Sequence, residues 1–128
     1  MDPVKDWLLP YTWEFVTAQN AVLCQAKNAL HKPTADGYEK TKLLWESHYL
    51  ERMPLIEAVD LCRTCHRLAP FCFYNGNTFT AIIRDVISGL ELAPETIHLL
   101  RSLAGHVVAG VASEEEVLAL KKFSDSLQ

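Results

Sequence analysis

The stretch TFTAIIRDVISG, residues 78–89, decides the fold class. Its apolar residues Phe79, Ile82, Ile83, Val86 and Ile87, with Leu90 just beyond, recur at spacings of 3, 1, 3, 1 and 3. That is the period of an α-helix burying one face, not the alternation of a strand. Gly89 follows the last full turn and suits a helix end. So apolar a stripe needs partners around it, and this helix is expected to sit at the centre of whatever the rest of the chain builds.

Working outward, the flanking segments repeat the same period. Downstream, Ala93-Pro94-Glu95 opens a helix whose inner face is Ile97, Leu100, Leu103, Ala104, Val107 and Val108, closed by Gly110. Ser113 and Glu116 then form the S-x-x-E pattern of a capping box and start a last helix. Upstream, apolar positions 55, 59, 62, 65 and 69 mark a helix that ends before Pro70. Pro54 separates it from a helix over residues 37–53, with Tyr38, Thr41, Leu44, Trp45, His48 and Tyr49 on one stripe. Residues 12–32 form the first helix, expected to run to Pro33 with Trp13, Val16, Asn20, Leu23, Cys24, Lys27 and Leu30 inward. The segment PFCFYNGN, residues 70–77, is a tight and partly buried connection, with Asn-Gly supplying a positive-φ turn. No strand-like alternation or internal repeat is present. The expectation is an all-α, single-domain irregular bundle of about six helices spanning residues 1–128, with helix 78–89 central.

Bulk properties narrow the function. The chain has 128 residues, 49% hydrophobic and 22% charged, with a formal net charge of −4. A length of this order supports one self-sufficient core, and the acidic balance argues against nucleic acid as a partner. No run approaches the roughly 20 apolar residues of a membrane span. The opening MDPVKDWLLPYTWEF lacks the basic and uninterrupted apolar segments of an export signal, so a cytoplasmic location with reduced thiols is expected.

Residues 62–77, CRTCHRLAPFCFYNGN, concentrate the chemistry-bearing side chains. C-x-x-C-H matches a haem-attachment pattern, but both cysteines fall on the inward stripe of a helix and no export signal precedes them. A zinc set of Cys62, Cys65, Cys72 and His66, with His48 as a substitute ligand, has suitable donors; the competing account is buried free thiols, and no cofactor is expected. Anion binding is a third candidate. Asn77 or Thr78 is expected to cap the helix over 78–89, Gly76 to let a ligand approach the backbone, and Arg84, Arg67, Arg63 and His66 to supply positive charge. The candidate ligand-binding residues are therefore His66, Arg67, Asn75, Gly76, Asn77, Thr78 and Arg84. No nucleophile–base arrangement is legible around His31, His48, His66, His98 or His106, so no catalytic residue is assigned.

Pro70-Phe71, then Asn75-Gly76-Asn77 and an amphipathic helix, resembles the Fic/Doc family motif, in which a histidine, Pro-Phe, a short loop and Gly-Asn precede a helix carrying an arginine. That resemblance spans about ten residues. It implies an all-helical core with a phosphate-binding loop and nucleotidyl or phosphoryl transfer to a protein hydroxyl. Ala69 stands where the family's catalytic histidine would be, the loop before Gly76-Asn77 is longer, and Thr78-Phe79 replaces the residues leading to the basic position. What it implies for this chain is a degenerate, non-catalytic relative.

Two functions follow. The first is a non-catalytic protein-interaction module, contacting a protein partner or a second copy through exposed aromatics at Phe71, Phe73 and Tyr74, with Trp7 and Trp13 nearby. The second is a domain binding phosphate, a nucleotide or zinc at residues 62–84.

Overall fold

A computed structural model describes residues 4–127 as six helices. They are α1 (Trp13–Ala26), α2 (Tyr38–His48), α3 (Leu55–Leu68), α4 (Asn75–Ser88), α5 (Pro94–Ala109) and α6 (Glu114–Ser126). The described residues form no strand beyond two isolated bridges, Lys5 with Met53 and Pro33 with Phe71. The fold is an all-α bundle.

α3, α4 and α5 pack on one another and make its centre. The α4 stripe behaves as its period demands: Phe79, Ile82, Ile83 and Ile87 are buried. Facing them are Leu55, Ala58, Val59, Cys62 and Cys65 of α3 and Leu100, Leu103, Ala104, Val107 and Val108 of α5. Each large aliphatic or aromatic side chain so buried contributes about 1.5–3 kcal/mol. α1 lies on α4, α2 on α3 and α1, and α6 on α5 and α3. The indole of Trp45, fully buried on α2, donates to the Tyr11 carbonyl at 2.8 Å, which satisfies its one polar atom.

Helix ends differ from expectation at three places, the end of α1, the start of α4 and the end of α2. α1 stops at Ala26 and does not reach Pro33. Asn28 takes a left-handed conformation (φ 53°), and the Ala29 N–H reaches back to the Cys24 carbonyl at 2.8 Å. This is the closing pattern of a Schellman cap, which asparagine tolerates. Lys27 and Leu30 therefore lie past the helix and are exposed. α4 starts at Asn75, three residues before the expected Thr78. The positive-φ residue at its entry is Tyr74 (φ 61°), while Asn75 and Gly76 are already helical. α2 also ends at His48, short of residue 53, and Pro54 is the extended residue before α3, so Pro54 marks a break between two helices.

Gly37 positions α2 against the end of α3. A Cβ there would sit 2.2 Å from the Leu68 carbonyl oxygen and 2.4 Å from that of Ala69, so the two backbones touch where any side chain would intrude. The Thr34 hydroxyl fastens the same junction, donating to the Ala69 carbonyl at 2.7 Å and accepting the Gly37 N–H at 3.2 Å.

Candidate functional site

The cysteines divide between the core and the surface. Cys62 and Cys65 are fully buried on the inward face of α3, and all four cysteines are free thiols. Burial pushes the Cys65 thiol up to about 12 and raises Cys62 too, because a thiolate in the core would lose its hydration. Cys72 is exposed on the connection between α3 and α4, where its N–H bonds the Lys32 carbonyl at 2.9 Å. Among the described residues no group of three or more His, Cys, Asp or Glu side chains is placed to hold a metal. The zinc set Cys62, Cys65, Cys72 and His66 is thus not brought together. Nor is His48 a substitute, since its Nδ1 bonds Glu51 at the surface.

In the connection over residues 69–74 Pro70 and Phe71 are buried, while Ala69, Cys72 and Phe73 are exposed. Phe71 is buried, stacked 6.1 Å from Trp13 and edge-on to Tyr38 at 5.9 Å. Neither Phe71 nor the equally buried Trp13 can serve as the exposed interaction surface expected of them. Asn20 of α1, also buried, fixes the same turn. Its Nδ2 donates to the Phe73 carbonyl at 2.8 Å and to the Thr78 hydroxyl at 3.0 Å, while its Oδ1 accepts from His31 Nδ1 at 2.8 Å. Thr78 is accordingly buried and committed, its hydroxyl donating a hydrogen bond to the Tyr74 carbonyl at 2.7 Å. It is neither the helix cap nor a ligand-facing residue. A polar network with every partner supplied holds one geometry.

What this corner presents is the start of α4. No side chain caps it, and the first helical bond closes from the Thr78 N–H to the Tyr74 carbonyl at 3.0 Å. The N–H groups of Asn75, Gly76 and Asn77 precede that bond, so the positive end of the α4 dipole is concentrated there. Asn77 caps nothing. The Asn75 side chain instead clamps the turn from below, accepting the Phe71 N–H at 2.9 Å and donating to the Phe71 carbonyl at 2.7 Å.

A groove of about 600 Å³ runs from this helix start to α5, lined by His66, Tyr74, Asn75, Gly76, Asn77, Thr80, Arg84, Gly105, His106 and Ala109. Five of the seven sequence-expected residues, His66, Asn75, Gly76, Asn77 and Arg84, meet on it. Arg67 is exposed and does not line it, and Thr78 lies beneath. Two glycines shape the walls. The Cε1–Nε2 edge of His66 would lie 3.1 Å from a Cβ at position 76, so glycine leaves room for the imidazole beside the start of α4. The Arg84 guanidinium likewise occupies the space a side chain at 105 would need, with Nη2 2.6 Å from that Cβ position. Arg84 Nε reaches the Arg101 carbonyl at a long 3.4 Å. His66 donates from Nδ1 to the Val108 carbonyl at 2.8 Å, which fixes the ring orientation and leaves Nε2 toward Gly76.

No family model, curated protein or solved structure matches the chain. The groove therefore has to be read from its own chemistry, and the Fic/Doc resemblance gains nothing from comparison. Ala69, at the position of that motif's histidine, is the left-handed end of α3 (φ 50°), and the imidazole beside Gly76 comes from His66, one turn earlier. Sequence reasoning missed Tyr74, Thr80, Gly105, His106 and Ala109 as groove residues. An isolated glycine inside an apolar helix was the available signal for close approach at 105; nothing in the sequence placed α5 beside α4's first turn.

Proposed function

We propose that this protein is a small helical domain that binds a phosphate-bearing ligand in the groove between the start of α4 and α5. The observation that carries the proposal is the convergence of Arg84, His66 and His106 with the uncapped start of α4 on one groove whose lining holds no carboxylate. In a chain of net charge −4 this is a distinctive location. Four other surface hollows each carry at least one acid: Glu51, Glu57 and Asp60 in one, Asp6 and Asp85 in a second, Glu91 in a third and Asp85 in a fourth. A guanidinium and a helix N-terminus are complementary to a phosphate dianion. The groove's volume falls in the range of small-molecule sites, so it suits a phosphorylated metabolite or nucleotide better than a bare ion.

The test is thermal denaturation with inorganic phosphate, a sugar phosphate and a nucleoside monophosphate, in wild type and in Arg84→Ala. At ten times its Kd a ligand stabilises by about 1.4 kcal/mol, a rise in Tm of roughly 4–7 °C for a domain of this size. A rise in the wild type that Arg84→Ala abolishes supports the proposal. An equal rise in both, or none with any of the three, refutes it.

A second reading, the non-catalytic interaction module or self-associating surface, is favoured by one observation: Phe73 is 48% exposed on the turn whose backbone Asn20 binds. An ordered, exposed aromatic is a suitable contact anchor. Light scattering at high concentration with Phe73→Ser checks it; a strict monomer whose solubility is unchanged by the substitution removes its support.

A further inference from the structure

Away from the groove, the fold brings two of the four cysteines to one junction. Cys24, buried near the end of α1, donates from Sγ to Asn20 Oδ1 at 3.5 Å. The other end of the same amide, Asn20 Nδ2, binds the carbonyl of Phe73, the residue after Cys72, at 2.8 Å. A second tie runs through the segment between α1 and α2. The Cys24 carbonyl accepts the Ala29 N–H at 2.8 Å, and the Cys72 N–H donates to the Lys32 carbonyl at 2.9 Å. Cys24 and Cys72 are thus joined to the two ends of one short loop and gathered around one asparagine. Their thiols sense each other: burial first, and next the charge of Cys72, raise the Cys24 thiol above its ordinary range. Cys62 and Cys65 also stand near each other, but both are sealed in the core on one helix, out of reach of an oxidant. Cys72 is exposed.

We propose that Cys72 and Cys24 are a redox pair, an exposed attacking thiol and its buried resolving partner, which closes to a disulfide and staples the end of α1 to the connection between α3 and α4. The oxidant is a small disulfide such as glutathione disulfide. The Cys72 thiolate attacks one of its sulfurs, forming a mixed disulfide and releasing one glutathione; the Cys24 thiolate then attacks Cys72 Sγ and releases the second. Two protein thiols lose two protons and two electrons, and the two glutathiones carry both away. Capping Cys72 removes its charge, so the part of the Cys24 shift that Cys72 causes is relieved when Cys24 has to ionise. The step leaves no buried group unpaired: Asn20 Oδ1 gives up the Cys24 thiol and keeps its bond from His31 Nδ1 at 2.8 Å.

The test is oxidation of the native protein by glutathione disulfide at about pH 8, where an ordinary thiol is partly ionised, read by intact-mass and peptide mass spectrometry. Wild type, Cys24→Ser and Cys72→Ser are compared. Wild type should lose two hydrogens and retain no adduct, with the peptides holding positions 24 and 72 joined. Cys24→Ser should stop at a single glutathione on Cys72, and Cys72→Ser should stay unmodified. The crosslink closes a long loop, so oxidised wild type should melt about 5–10 °C above the reduced form, a gain that dithiothreitol reverses. A wild type that stays reduced, keeps a stable glutathione on Cys72, or crosslinks through Cys62 or Cys65 overturns the pair. A crosslinked form that melts no higher than the reduced protein overturns the staple. These refuting results are read on the wild-type chain, so they stand even where a serine variant fails to fold.

Discussion

Gly105→Ala sets fold stability and ligand binding against each other. Gly105 is buried in the middle of α5, and the three atoms nearest to a Cβ there, at 2.6, 3.1 and 3.1 Å, all belong to the Arg84 guanidinium. A methyl group cannot coexist with that guanidinium, but the obstacle is the far end of a flexible side chain, not backbone. Replacing glycine by alanine in a helix interior stabilises by about 0.8–1 kcal/mol. Against this stands the bond from Arg84 Nε to the Arg101 carbonyl at 3.4 Å. So long a bond is weak, and about 0.5 kcal/mol is a fair upper figure for it. The balance is stabilising by about 0.3–1 kcal/mol, a rise in Tm of about 1–4 °C. Phosphate binding should respond in the opposite sense. The displaced guanidinium forfeits a charge-assisted contact of about 1.5–3 kcal/mol, roughly a ten- to hundred-fold loss of affinity that matches Arg84→Ala. Urea denaturation and calorimetric titration of phosphate on the same preparation measure both. A cost above about 2 kcal/mol for Gly105→Ala with phosphate affinity unchanged would refute this account, because the glycine would then serve the α4–α5 packing and not the arginine.

Three further outcomes follow from the structure. Gly37→Ala should destabilise by several kcal/mol, since its methyl meets the carbonyls of Leu68 and Ala69, which cannot move without parting α2 from α3; denaturant midpoints check this, and a loss under about 1 kcal/mol would contradict it. In the native state Cys72 should react with a thiol reagent at about pH 8 while Cys62 and Cys65 react only on unfolding; because burial raises their folded values, the stability they contribute is present below the ordinary thiol range and declines as pH rises above it. Glu116 is held below the ordinary carboxylate range, first by its bond to His106 and next by the Ser113 N–H, so its contribution is present above pH 4.5 and is lost as the pH falls through its lower folded value; an acid titration of Tm should be shallower for Glu116→Gln, and identical profiles would count against the bond.

The sequence by itself determined the helices and most of their inward faces. Apolar periodicity is a local property, and residues 78–89 carry it so strongly that the core position of Phe79, Ile82, Ile83 and Ile87 follows without any knowledge of partners. Caps were legible for the same reason: Ser113 with Glu116 and Gly110 act through backbone groups a few residues away. Where two local signals competed, the pattern misled. Asn-Gly at 75–76 reads as a turn, yet both residues are helical, because Asn20 of α1 grips the Phe73 carbonyl and Thr78, and the left-handed residue falls on Tyr74 instead.

Which side chains face water, and which meet, only the tertiary structure decided. Phe71 and Phe73 differ by two positions in an aromatic run, but one is stacked in the core on Trp13 and the other is exposed. The groove joins α3, the start of α4 and the middle of α5, so its composition depends on how three helices cross. At Gly76 and Gly105 the missing side chains leave room for the His66 imidazole and the Arg84 guanidinium. Contacts between residues far apart in the chain come from the packing of whole surfaces, and no single segment encodes them.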